Sequence, residues 1–357
     1  TNKFNNLVSE KIIERDKNLK IGFDKIKIFL NFNNRNFELK TNNPKVSFKN
    51  KEIIIKSIST DLPIRNFFSK KINLKEVKII TGKNKLQNLI KILRSHKNNP
   101  KLFILNKIVK DGYVSIESKI TFNEDGSIKN NYLIDGNIED LKIELLDNKV
   151  IENTNLSFLI REKDYLIYNL SSIYQSIKIR SNQIKIDDNK DHYAFEGDIA
   201  NQKSEIDINN LFVFLNKSIL GMFNEKLIIS SNNNFSFKIN KKIKFSDIKF
   251  QSKIKLDKLQ YSNDIFKRFF PGYKKNIEVQ DSSITFNYNN GDYQINGKSK
   301  LNINDDIDNF NYSLKKIKDE FIYDLNFELV NSPINFIIYD FCANCTWTNR
   351  INSYFWS

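Results

Sequence analysis

A chain of 357 residues, 28% of them charged and 40% hydrophobic, is too oily to be disordered and long enough for one to three domains. Its net charge of +15 would suit phosphate-bearing partners, but the lysines read as spread along the chain, which points to compositional bias rather than a phosphate-binding patch. Two histidines, two cysteines and no run of about 20 apolar residues leave little room for histidine-based catalysis or a membrane-crossing helix.

Glycine (10) and proline (5) are scarce, so turns must rely on Asn and Asp, which tolerate left-handed backbone. The chain starts at Thr1 with no visible signal peptide, and reads as a processed chain or a fragment. Residues 4–18 carry Phe4, Leu7, Val8, Ile12 and Ile13 at helical spacing. A strand follows in "DKIKIFLNF", residues 24–32. There Ile26, Ile28, Leu30 and Phe32 alternate with Lys25, Lys27, Phe29 and Asn31, giving one oily face and one mostly polar face. Further strands are expected at 36–41, 45–49, 52–60 and 71–81. A helix is expected over 84–96, with Leu86, Leu89, Ile90 and Leu93 on one face and Pro100 closing the linker behind it.

From residue 111 the alternation becomes regular. Val114, Ile116, Ile120 and Phe122 fall on one side of "VSIESKITF", opposite Ser115, Glu117, Lys119 and Thr121. "EDG" at 124–126 reads as a hairpin turn. Residues 209–223 read as a second helix or an apolar turn, and 263–273 as a short helix. In "IKFQSKIKL", Ile248, Phe250, Ile254 and Leu256 oppose Lys249, Gln251, Lys253 and Lys255. "ITFNYNNGDYQING" reads as a hairpin with "NNG" at its tip, placing Ile284, Phe286 and Tyr288 in phase.

Strand, Asn-rich turn and strand recur every eight to twelve residues without an exact repeat. This predicts a mainly β protein with a long, twisted, mostly antiparallel sheet and a few short helices. The oily face must be hidden, because each exposed large side chain costs about 1.5–3 kcal/mol relative to burial. Either the sheet packs against itself or it curls around an apolar guest, and the pattern alone does not choose.

The stretch 37–81, with its strand at Ile53 to Thr60, its step at Leu62 to Phe68 and its strand at Ile72 to Ile80, resembles the N-terminal region of the AsmA-like family. The following helix fits too, as does "LFILNKIVKDGYVSIES" (102–118), where Ile108, Asp111, Gly112, Val114 and Ile116 match a recurrent family pattern. The resemblance covers about the first 120 residues; beyond them only the polar-out, apolar-in character agrees. It implies periplasmic β-trough proteins of the AsmA, TamB and YhdP type, tethered to the inner membrane by an N-terminal helix absent from this chain. It also implies an open apolar trough that carries phospholipid acyl chains toward the outer membrane. On this resemblance the regions are 1–110 (AsmA-like N-terminal region), 111–340 (continuing trough strands) and 341–357 (a tail outside the fold). At about 4.8 Å per strand, roughly 20 strands would span about 100 Å.

The residues expected to line the trough are the four in-phase rows: Ile26, Ile28, Leu30 and Phe32; Val114, Ile116, Ile120 and Phe122; Ile248, Phe250, Ile254 and Leu256; and Ile284, Phe286 and Tyr288. The expected partners are phospholipids and, at the two ends, the inner and outer membranes or their proteins. No catalytic residue, metal or cofactor is expected. "DDNKD" (187–191) and "NDDID" (304–308) read as solvated turn carboxylates, and Cys342 and Cys345 as incidental cysteines in the tail. Nucleic-acid binding is not expected, because Phe32, Phe122, Phe250 and Phe286 fall in phase with aliphatic residues rather than on a basic face. The alternative is a structural or adhesin-like β-rod with a self-packed core and no lipid.

Overall fold

The computed structural model describes residues 18–31, 36–63, 76–96, 99–123, 129–145, 149–206, 227–262, 276–303, 306–318 and 320–328. The expected helices at 4–18, 209–223 and 263–273, the turn at 124–126, Phe32 and both cysteines lie wholly or almost wholly outside them. The protein is mainly β. Among the described residues nineteen strands form an antiparallel sheet that is not closed into a barrel. The chain divides into two compact units, Thr1–Tyr174 with Ser181–Lys190, and Gln175–Arg180 with Asp191–Ser357.

The first unit begins with β1 (Leu19–Gly22), β2 (Ile26–Asn31), β3 (Asn36–Asn42), β4 (Lys45–Phe48) and the long β5 (Lys51–Pro63). The first half of β5 pairs with β4, which also pairs with β1; its second half pairs with β3 and with β6 (Glu76–Thr81). Next come β7 (Asn84–Lys85), helix α1 (Leu86–His96), helix α2 (Pro100–Ile108), β8 (Val109–Thr121), β9 (Leu133–Glu144), β10 (Val150–Arg161) and β11 (Asp164–Tyr174). The ladder runs unbroken across residue 110, because β8 pairs with β6 and β7 on one side and with β9 on the other.

α1 lies where periodicity placed it, two residues shorter at its start. α2 was not expected. Pro100, read only as the close of the linker behind α1, opens a helix, where its missing N–H costs nothing and its fixed φ fits the first turn. Ile90 of α1 is buried with Val109 and Leu141, and Leu86, Ile108, Ile138 and Ile143 pack around them. This small cluster covers one end of the apolar face. Leu93, expected on the packed face of α1, is exposed, and Ile92 is buried instead.

β12 (Ile177–Asp188) lies where the two units divide in sequence. The second unit continues with β13 (His192–Ile206), β14 (Leu227–Asn240), β15 (Phe245–Ser262), β16 (Asn276–Asn289), β17 (Asp292–Ile303), β18 (Asp306–Ile317) and β19 (Glu320–Glu328). Each strand from β13 onward pairs antiparallel with the next. The hairpin expected at "NNG" turns on Asn290 and Gly291 alone, both at positive φ, the geometry that matches strand twist. Of the fourteen non-glycine residues at positive φ among the described residues, eight are Asn or Asp, so these side chains do supply the left-handed backbone that scarce glycine does not. Asp140, Asn153, Asn169, Asp247 and Asp281 are among them, each at or beside a break in ladder register.

Candidate functional site

Directly opposed residues of an antiparallel pair share a face, so register decides which side chains meet. In the first unit Ile26 opposes Thr41, then Ile58, Ile79, Ser118, Ile134, Ile160 and Tyr165, a row crossing eight strands from β2 to β11. Beside it, Ile28 opposes Leu39, Thr60, Val77 and Ile120. Ile116 opposes Gly136, Phe158 and Ile167. Leu30 continues the β2 row opposite Phe37, Val114 lies opposite Ile138, and Phe122 follows Ile120 in phase. The described residues expected from β2 and β8 therefore lie on one face, but unequally covered: Val114 is buried, Ile26, Ile116, Ile120 and Phe122 are half-buried, and Ile28 and Leu30 are exposed. The other face carries Lys27, Lys40, Ser59, Lys78 and Lys119, with Lys78 paired to Glu117 at 2.6 Å and Lys119 to Glu76 at 2.9 Å.

In the second unit Phe250 lies opposite Phe235 and Tyr288, and the row extends from Gly197 of β13 through Tyr293 and Lys316 to Phe321 of β19. Ile254 lies opposite Ser231 and Ile284, and that row extends through Gly297 and Tyr312 to Leu325. Phe286 lies opposite Ser252, and the Phe250 and Phe286 rings are 5.9 Å apart. Ile248 and Leu256 flank these residues in phase on β15. All seven expected residues of β15 and β16 thus share one face, and Lys249, Gln251, Lys253 and Lys255 stand exposed on the other.

Most of this face is half-buried. Leu256 is buried with Ile206, Leu227 and Leu301, but Phe250, Ile254, Ile284, Phe286 and Tyr288 are only partly covered. The helices among the described residues both belong to the first unit. On β19, Phe321, Tyr323, Leu325 and Phe327 continue the rows but are exposed.

Sequence reasoning skipped the small hydroxyl residues between the apolar ones. Ser118, Ser252, Ser282 and Ser299 are buried on the same faces. The last three are satisfied within the sheet, whereas the buried Thr41 hydroxyl on the Ile26 row has no hydrogen-bond partner among the described residues. The Ser252 hydroxyl lies 2.6 Å from Asn233 Oδ1, whose amide donates at 2.8 Å to the Ile199 carbonyl, and the Ser299 and Ser282 hydroxyls are 2.8 Å apart. Short side chains make low ground between tall ones, and hydroxyls already bonded to neighbours present little polar demand to an apolar guest. Two glycines act similarly. A Cβ on Gly136 would overlap the Phe158 ring, and one on Gly297 the Tyr312 ring, so each aromatic lies flat across its neighbouring strand. Burial holds the Tyr312 hydroxyl above the ordinary phenol range, offset in part by its hydrogen bond with Ser299.

No set of three or more metal-ligating side chains is gathered among the described residues. No family model, curated protein or solved structure matches the chain.

Proposed function

We propose that this chain is a non-enzymatic lipid-carrying segment of the AsmA-like kind. Phospholipid acyl chains lie along the apolar faces, contacting the rows at Ile26, Val114, Phe250 and Ile284 without sequence-specific recognition. Head groups stay in water at an open seam of the curled sheet. Lipid moves by diffusion between inner and outer membranes, so the chain works in the periplasm, tethered to the inner membrane, and contributes to outer-membrane assembly. No residue takes a catalytic role and no cofactor is needed.

The supporting observation is that the largely apolar rows, which cross eight strands in one unit and seven in the other, leave Ile26, Ile116, Ile120, Phe250, Ile254, Ile284, Phe286 and Tyr288 only half-buried and Ile28, Leu30, Phe321 and Leu325 exposed. A self-packed rod would bury these residues outright, since large apolar side chains left half in water forgo much of about 1.5–3 kcal/mol each.

Mass spectrometry of organic extracts from protein purified without detergent tests the reading. Co-purifying phospholipid is expected, and a double substitution, Phe250→Asp with Ile254→Asp, should deplete it severalfold while the far-ultraviolet spectrum is retained. Extracts free of phospholipid from the folded parent chain would favour the self-packed rod.

A further inference from the structure

The two helices carry a surface that the sheet does not use. Residues 83–110, which contain α1 and α2, hold eight Lys or Arg and no Asp or Glu, more than half of the chain's net charge of +15. The cations are therefore not evenly spread, contrary to the expectation from composition. Lys83 and Lys110, at the two ends of this stretch, are paired with Glu139 and Glu144 of β9. Lys91 and Lys107, between them, are exposed.

The same segment exposes large apolar side chains. Leu93 of α1 is 54% exposed, and Phe103, Ile104 and Leu105 of α2 are 55%, 50% and 42% exposed. Three consecutive residues sweep about 200° of a helix, so no rotation of α2 would hide all three against the sheet. The Arg94 guanidinium stands 5.1 Å from the centre of the Phe103 ring, so charge and apolar surface adjoin. A nucleic acid would match the cations but leave the aliphatic side chains in water. A folded acidic partner would need a pocket around a helix that projects apolar groups over more than half its circumference. A bilayer with anionic head groups satisfies both features, because it deforms around the apolar groups and neutralises the cations at its surface.

We propose that the α1–α2 segment seats this chain on an anionic phospholipid bilayer. Leu93, Phe103, Ile104 and Leu105 enter the boundary between head groups and acyl chains, and Lys91, Arg94 and Lys107 lie among the phosphates. This names where the chain would meet a membrane if it carries lipid, but it stands without that reading.

The test is flotation of the full chain with vesicles of phosphatidylcholine containing about 30% phosphatidylglycerol, against phosphatidylcholine alone. Binding to the anionic vesicles should be about tenfold tighter or more, and should weaken as salt shortens the screening length. Phe103→Ser with Leu105→Ser, and separately Lys91→Glu with Lys107→Glu, should each lower it about tenfold. Equal binding by either folded variant, equal binding to both vesicle types, or preference for nucleic acid at the same salt would overturn the proposal. A Phe103→Trp reporter, in a chain with Trp347 and Trp356 changed to Phe, avoids any folding defect of the double variants. Its emission should shift to the blue on anionic vesicles, and an unchanged spectrum would also overturn the proposal. Phe250→Asp with Ile254→Asp should leave vesicle binding intact. Loss of lipid cargo with flotation retained would separate the two readings, whereas loss of flotation in that variant would assign the contact to the sheet and overturn this one.

Discussion

Gly136 illustrates how single positions set the apolar face. Its would-be Cβ meets not only the Phe158 ring but also the Ser115 carbonyl oxygen at 2.9 Å, and backbone cannot give way as a side chain can. Gly136→Ala should therefore destabilise the first unit by about 1–3 kcal/mol. Gly22→Ala, whose Cβ would meet nothing nearer than 3.7 Å, is the control and should be close to neutral. Denaturant midpoints of the two variants check the contrast. Tyr312 offers a second measurement at this scale. Burial favours its neutral phenol, so its folded pKa is raised above the ordinary value of an unfolded tyrosine. The stability it contributes is fully present below that unfolded value and is lost as pH rises through the folded one. Phenolate absorbance of the parent minus Tyr312→Phe should thus appear at higher pH than that of exposed tyrosines, and later still when an apolar guest covers the ring.

At the scale of elements, the ladders make the edge strands the weak points. Among the described residues β2 pairs only with β3, and β19 only with β18, whereas β14 to β17 each hold two partners. β19 is also exposed along its whole length. Amide exchange should be fastest in β2 and β19 and slowest in β15 and β16, because local opening follows the number of hydrogen-bonded and packed neighbours. Uniform protection along β13–β19 would contradict this. The elements also show what the sequence made legible. Strand alternation is a local signal, so the row at Ile248, Phe250, Ile254 and Leu256 and the turn at Asn290–Gly291 could be read directly. α2 could not, because a proline looks the same as a helix stop or a helix start until its neighbours are placed. Which rows meet was equally hidden. That Phe250 faces Tyr288 while Ser252 faces Phe286 depends on pairing register, which bulges at residues such as Asp281 shift without any strong local mark. The small residues were passed over for a related reason. A buried serine in a strand has no signature of its own, and only its bonded partner on the next strand explains why it is tolerated.

Across the whole chain, stability has an unusual source. Leu62 is the one large side chain buried to below 2% exposure among the described residues, and the cluster of buried apolar residues there holds three, Ile90, Val109 and Leu141. With so little fully buried, ladder hydrogen bonds and partly covered rows must carry most of the folded state's advantage. A guest that covers those rows adds burial that the chain alone does not achieve, and it does so only in the folded state. By linkage, an apolar ligand at a hundredfold excess over its Kd adds about 3 kcal/mol, a shift of roughly 4 °C for a chain of this size. Extraction of co-purified lipid should accordingly lower the melting temperature by several degrees and raise the binding of an apolar dye, and adding phospholipid back should reverse both. The self-packed rod predicts the opposite. Its interior would already be closed, so neither extraction nor re-addition would move the transition, and a melting curve indifferent to lipid would count against the guest-filled sheet.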